Sequence, residues 1–359
     1  MKVFRNIALL LLIVLSAIII FIGVYFNINL SPMDKNSDES KMVVIPPKTS
    51  TKKIGEILEK EGLVRSGQFF YVYCRLYKIN NLKASTYELS LNMSLEKIIE
   101  VLQEGNSYNP DMVKITFEEG INMKKVASII ESTTNNTKED IFNKLKDNDY
   151  LDRTIAEYWF LSDEIKNTNI YYPLEGYLYP DTYFLENKDV TVEDIFKVML
   201  DEMKKKLEPY KTQIEDSNYS VHNYLTIASM AELESVTEED RKNVAGVFYN
   251  RLNKNMSLGS DVTTYYAFGV DMSERDLKAS EINTYNPYNT RGPKMEGKLP
   301  VGPVAMPSIS SIDASINPAK NDYLYFVADK NRKVHFTKTY NEHNKKIKEL
   351  KDKGVWLEW

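Results

Sequence analysis

The stretch Ile227–Leu252, IASMAELESVTEEDRKNVAGVFYNRL, constrains this chain more than any other. Its first half is apolar at helical spacing, yet one carboxylate, Glu232, stands inside it. Residues three and four apart share a helix face. Leu225, Ala228, Glu232 and Val236 therefore fall on one stripe, and its apolar members predict that the stripe faces a core. Glu234 is turned roughly 200° away and is expected to face water. A carboxyl on an apolar stripe loses hydration, which favours the protonated form, and such a group can hand a proton to a leaving oxygen. The same spacing also fits a structural ion pair, with Arg241 as the cation, or a helix rotated so that Glu232 is exposed. Ser220 is a cap for this helix. Thr237, followed by Glu238, Glu239 and Asp240, starts the next one, whose core stripe is Val244, Phe248 and Leu252.

Other blocks carry the same punctuation of turn residues, hydroxyls and carboxylates. Leu258–Gly269 reads LGSDVTTYYAFG, and within it Ser260, Asp261, Thr263 and Tyr266 suit recognition of sugar hydroxyls and a ring face. Asp261 is the best second acid in the chain; capping a turn is its structural alternative. In Pro287–Thr290 (PYNT), Tyr288, Asn289 and Thr290 offer a ring, an amide for an N-acetyl group, and a hydroxyl. Leu174–Tyr183 (LEGYLYPDTY) is broken by Gly176 and Pro180 and is expected to be a packed loop, in which Glu175 can cap a turn. Leu299–Pro307 (LPVGPVAMP) is proline-rich and predicts a rigid wall. Tyr323–Ala328 predicts a buried strand, Val334–Phe336 its partner and Tyr340–Leu350 a closing helix.

These blocks, with Ala228–Ser235, Glu239–Leu252 and Asn317–Asp329 (NPAKNDYLYFVAD), resemble the signature of the YceG-like family, the MltG endolytic murein transglycosylases, and keep their order across about half the chain. Val262 stands where the family often has Pro, and Arg291 where an aromatic is common. The resemblance puts the family's catalytic glutamate on Glu232, and it sets Leu174–Tyr183 beside the catalytic helix, so that Glu175 either lines the cleft or caps a turn. It implies cleavage of the MurNAc–GlcNAc bond of peptidoglycan glycan strands to leave 1,6-anhydro ends, without a cofactor, and penicillin-binding proteins or other wall-synthesis enzymes as partners. Two alternatives remain open at this point: a muramidase using Glu232 and Asp261 with water, and a catalytically silent glycan-binding scaffold.

The chain's 359 residues suit about two domains. A formal net charge of −5 argues against a nucleic-acid partner. The single cysteine, Cys74, is expected to be a small buried hydrophobe, and the three histidines, His222, His335 and His343, have no zinc-site spacing, so no metal is expected. After a short tail (1–6) carrying Lys2 and Arg5, residues 7–26 are uncharged and apolar, which predicts an uncleaved transmembrane anchor with a cytoplasmic amino terminus and the remainder outside the cell membrane. Residues 27–42 read as a flexible tether. Residues 43–132 predict a small α+β module with the similar short helices Lys52–Glu59, Glu96–Gln103 and Lys124–Glu131; the family resemblance makes it LysM-like. Residues 133–359 are expected to form the mixed α/β catalytic domain, with helices over Glu139–Asn169 and over Thr191–Leu207, the latter opened by a Thr191–Asp194 capping box. The expected class is α+β.

Overall fold

The computed structural model describes residues 2–356 apart from 38, 47 and 106–111, and the side chains of residues 2–13 lie outside the description. The chain divides into two compact units, Met1–Met112 and Val113–Trp359.

In the first unit, helix α1 (Lys2–Leu30) precedes strand β1 (Ser40–Ile45), helices α2 (Thr51–Lys60) and α3 (Gly67–Leu76), strand β2 (Ser85–Ser90) and helix α4 (Leu95–Glu104). Ser50, Ser66 and Ser94 each open a helix by accepting a backbone N–H three residues on, which satisfies a donor the helix itself leaves free. β1 and β2 pair antiparallel with Val43 opposite Tyr87. Their inner faces close over Leu58, Phe70, Ile98 and the buried Cys74. Helices α2 and α3 approach through glycines: a Cβ on Gly55 would sit 2.4 Å from the Gly67 carbonyl oxygen, so no larger residue fits there.

Two expectations change here. Residues 27–42 are not a free tether. The Arg65 guanidinium donates to the carbonyls of Ile28, Ser31, Pro32 and Met33, and the Asp34 N–H bonds to the Leu91 carbonyl. The transmembrane anchor is also corrected. Among the described residues no helix is long and apolar enough to cross a membrane. Residues 7–13 of the expected span lie outside the described side chains. The single-pass topology, the membrane as a partner and the localisation built on that anchor fall with it.

The second unit contains β3 (Val113–Thr116), α5 (Met123–Thr133), α6 (Lys138–Lys144), α7 (Asn148–Glu157), β4 (Thr182–Leu185), α8 (Val192–Leu207), α9 (Lys211–Glu215), α10 (Val221–Glu234), α11 (Glu238–Asn253), α12 (Asp261–Phe268), α13 (Ala279–Ile282), α14 (Ile309–Ile316), β5 (Tyr325–Ala328), β6 (Val334–Thr337) and α15 (Tyr340–Asp352). The unit begins before residue 133, because β3 pairs with β4 and α5 sends Met123, Val126 and Ile130 into the same core as Phe196 and Met199 of α8. Glu139–Asn169 is not one helix: Asp147 caps α7 and Ser162 caps a separate turn at Asp163–Lys166. The Thr191–Asp194 capping box opens α8. The described strands form three separate antiparallel pairs, β1–β2, β3–β4 and β5–β6, an α+β arrangement with no layered parallel sheet.

Helix α10 is the axis of this unit. Ser220 caps it with a capping box through Asn223. Leu225 and Ala228 enter one core, whereas Ile227, Met230 and Ala231 enter another. A helix packed on both sides is apolar all round, and from Tyr224 to Ala231 every residue is buried. Helices α11 and α14 pack against it. The helix ends at Glu234, with Ser235 extended, so its last turn carries the two glutamates out of the core.

Candidate active site

Glu232 sits where α10, α11 and α14 meet. Its side chain is 5% exposed, and its Oε1 accepts Arg241 Nη2 of α11 at 2.8 Å. Its Oε2 accepts the Ser308 N–H at 2.9 Å and the Ser308 hydroxyl. Ser308 is the N-cap of α14 and also accepts the Ser311 N–H, so the carboxylate lies at the positive end of that helix. The Arg241 Nε is buried without a partner among the described residues. Residues 299–307 hold this junction from outside. Val304 N–H donates to Ser229 Oγ at 3.0 Å, and Met306 exchanges backbone bonds with Gly120 and Ile121. Gly120 has φ +78, and a Cβ there would lie 3.7 Å from Glu232 Cγ. Its neighbour Glu119 is raised from the ordinary carboxylate range by lost hydration and then by repulsion from Glu232, with Arg241 opposing.

The stripe expectation is met at Leu225, Ala228 and Glu232 and fails at Val236, which lies beyond the helix end and is exposed. Glu234 does not face water. Its Oε1 accepts the Ser260 hydroxyl at 2.6 Å, and desolvation pushes its carboxyl up to about 7. The loop before α12 covers the side of α10 opposite the core, so both carboxylates are enclosed, each by a different neighbour. Asp261 faces Arg291 in a two-pronged pair, with Nη2 to Oδ2 at 3.1 Å and Nε close to Oδ1.

The remaining expected sugar contacts are buried and internally bonded. Tyr288, Asn289, Thr290 and Thr263 have no exposed surface, and Ser260 is 2% exposed. Thr263 Oγ1 meets Thr290 Oγ1 at 2.8 Å, and Thr290 Oγ1 accepts Ser260 N–H at 3.0 Å. The Asn289 amide accepts from Thr264 and donates to the carbonyls of Glu281, Ile282 and Thr284, leaving nothing for an N-acetyl group. The Tyr288 ring packs against both Tyr171 and Tyr266. These residues clip the 281–290 loop to α12 and shape the wall. Glu175 is 1% exposed; both its oxygens accept the Met123 N–H, at 3.0 and 3.1 Å, and Oε2 accepts Tyr266 Oη at 2.8 Å. It anchors the start of α5, and burial pushes it up to about 8. His222 is bonded on both nitrogens, to Tyr177 Oη and the Val301 carbonyl. Among the described residues no group of three or more His, Cys, Asp or Glu could hold a metal ion.

Glu119, Ser308 and the enclosed Glu234 were not anticipated. Ser308 had a readable signal, a serine just before the helically spaced Ile309, Ile312 and Ile316. Glu119 had none, since its proximity to Glu232 arises only when β3 and the 299–307 wall assemble. Among the described residues of this unit are a larger and a smaller concavity. The larger, about 770 Å³, is lined by Gly246, Tyr249 and Asn317–Asp322, with no carboxylate of the site in its wall. The smaller, about 500 Å³, lies between α5 and α12.

An enclosed glutamate on a buried helix, framed by a cation, a hydroxyl and a rigid proline-rich wall, defines a carboxylate-based site on an α+β unit. The chain belongs to the YceG-like family, whose model matches residues 43–349. It is similar to an endolytic murein transglycosylase of Bacillus subtilis, 36% identical over 317 residues, covering 88% of this chain and 86% of the relative. An endolytic murein transglycosylase of Streptococcus pneumoniae is 36% identical over 335 residues; the match covers 89% of this chain but only 60% of that longer relative. The crystal structure of a yceG-like protein of Listeria monocytogenes matches with TM-score 0.61 and 35% identity, over 86% of this chain and 99% of that one.

Proposed function

We propose that this chain is a lytic transglycosylase that cleaves murein glycan strands internally, with Glu232 as its acid and base. Family membership and relatives of that activity support an enzyme of this lyase class. The observation that carries the residue assignment is Glu232 itself, enclosed and oriented at both oxygens by Arg241 and Ser308.

The step needs one carboxyl. Protonated Glu232 gives its proton to the glycosidic oxygen between MurNAc and GlcNAc as the bond from that oxygen to MurNAc C1 breaks. The carboxylate then takes the proton of the MurNAc C6 hydroxyl, whose oxygen bonds to C1. No water is consumed, and Glu232 ends protonated as it began. The nucleophile is part of the substrate, so positioning replaces activation of a separate molecule. Of the donors on Glu232, the Ser308 hydroxyl is the one that can reverse, because a hydroxyl both donates and accepts. It can receive the O–H of protonated Glu232, whereas Arg241 can only donate. Asp261 is paired with Arg291, which disfavours the muramidase reading in which it activates water. The first unit, residues 1–112, would orient the strand.

Digestion of purified strands in heavy-oxygen water, followed by mass spectrometry, tests the reading. The expected products carry 1,6-anhydro ends and no heavy oxygen. Heavy oxygen at the new MurNAc C1 would show hydrolysis and sink the proposal.

A further inference from the structure

The pocket of about 500 Å³ between α5 and α12 is not used by the chemistry above. We infer that it is a subsite for the acidic peptide stem of the strand, in which Lys124 and Lys125 receive stem carboxylates and Tyr171 supports the adjoining sugar. This inference rests on the murein-strand reading.

Three observations carry it. First, the pocket lies within a short stretch of chain of the reacting carboxylate. A Cβ on Gly120 would come 3.7 Å from Glu232 Cγ, and Asn122 of the pocket wall is two residues on, at most about 7 Å of chain. On the other wall, α12 starts beside Ser260, which bonds Glu234, and ends at Phe268 in the pocket; its rise is about 12 Å. A strand reaching Glu232 would therefore have its neighbouring units at this pocket. Second, the pocket holds two exposed lysines, neither in a direct ion pair among the described residues. Lys124 acts on the buried Glu175 and Lys125 on Asp271 only through charge at longer range. Asp271, the acidic group in the lining, is already bonded to the Ser273 N–H and hydroxyl. Third, the Tyr171 ring is 44% exposed and is stacked on Tyr266 with centroids 5.8 Å apart. Its hydroxyl is fixed by the Ala267 carbonyl and the Asn286 amide. A rigid, half-open ring beside two cations suits a sugar face carrying an acidic substituent. A neutral glycan would offer neither lysine a directly bonded carboxylate.

The test is calorimetric titration of the full chain carrying Glu232→Gln, so that strands are not consumed. It compares stem-bearing strands, strands stripped of stems, and stem-bearing strands with amidated carboxylates. Stem-bearing strands are expected to bind about tenfold tighter than stripped ones, the effect of one or two charge-assisted contacts. Amidation, or Lys124→Gln with Lys125→Gln, is expected to bring that ratio to about one, and salt to reduce it. Both lysines are exposed, so the double variant should fold, which circular dichroism would check. A ratio near one in the lysine-bearing chain, a ratio that survives the double variant, or no binding to any strand would overturn the subsite. Cleavage is read separately with Glu232 intact: failure to cleave, with the stem preference preserved, would overturn the transglycosylase reading and not this one.

Discussion

Arg241 and Glu232 meet at 2.8 Å across the turn between α10 and α11, with side chains 14% and 5% exposed. The pair joins α10 to α11 at the point where the buried axis of the unit ends. A pair this enclosed has lost most of its hydration, so each partner depends on the other. Arg241→Leu is expected to cost about 3 kcal/mol or more of stability and to lower kcat. Arg241→Lys keeps the charge but not the planar fork and should recover part of both. Urea unfolding and single-turnover cleavage measure the two effects; a Leu variant of wild-type stability would show that the pair contributes nothing.

Glu232→Gln should lose at least about 100-fold in kcat, since the amide carries no transferable proton. It keeps one oxygen, for Arg241 or for the Ser308 N–H but not both, so some stability should be lost while the circular dichroism spectrum still matches the parent. Wild-type turnover in a folded variant would remove Glu232 from the mechanism.

Ser308 separates a structural role from a chemical one. Its side chain caps α14 and also bonds Glu232. Ser308→Ala should cost about 1 kcal/mol from the lost cap, with a larger fall in kcat than that destabilisation explains. Ser308→Asn restores a cap but not a hydroxyl. If its stability recovers and its kcat does not, the hydroxyl acts on Glu232. Recovery of both would reduce Ser308 to a cap.

Glu175 and Glu234 set a pH dependence of stability. Burial raises their folded values from 4.5 to about 8 and about 7. A raised carboxyl binds its proton more tightly folded than unfolded. The stability it contributes is therefore complete below about pH 4.5 and is lost as pH rises through the folded value. Between pH 6 and pH 8 the wild type should lose on the order of 2 kcal/mol through Glu175. Glu175→Gln, which keeps an acceptor for the Met123 N–H, should flatten that slope. Melting temperatures across this range check it, and parallel profiles for the two proteins would refute it.

Local chemistry made α10, its Ser220 cap, the α8 capping box and the closing β5, β6 and α15 readable as elements, because each depends on residues a few positions apart; the strand expected to be buried over Tyr323–Ala328 is instead Tyr325–Ala328 and half-buried. What lies around Glu232 depends on contacts far along the chain. Ser308 comes from 76 residues away. Glu234 was placed in water by a helical wheel that takes no account of the loop before α12. The PYNT residues had the right chemistry for a sugar, but burial commits their donors and acceptors to one another. Composition marked residues 27–42 as a tether, yet Arg65 ties them down through four backbone carbonyls. No periodicity reveals one guanidinium collecting a loop.

Asp261 and Arg291 give the sharpest separation of the two cleavage chemistries. Their side chains are 47% and 39% exposed, so the pair should be worth under about 1 kcal/mol of stability, and Arg291→Ala should fold normally. That variant frees Asp261 beside the site. If Asp261 were a base held in check by Arg291, freeing it would let water compete with the C6 hydroxyl, and reducing ends bearing solvent oxygen would increase. If the nucleophile is the C6 hydroxyl, releasing Asp261 adds no competing route. Turnover then changes only as far as Arg291 helps to shape the cleft, and every product still carries the anhydro end. Arg291→Ala and Asp261→Asn, digested side by side in heavy-oxygen water, should both yield anhydro ends without label. Label in the Arg291→Ala products that disappears on adding Asp261→Asn would assign Asp261 as a hydrolytic base.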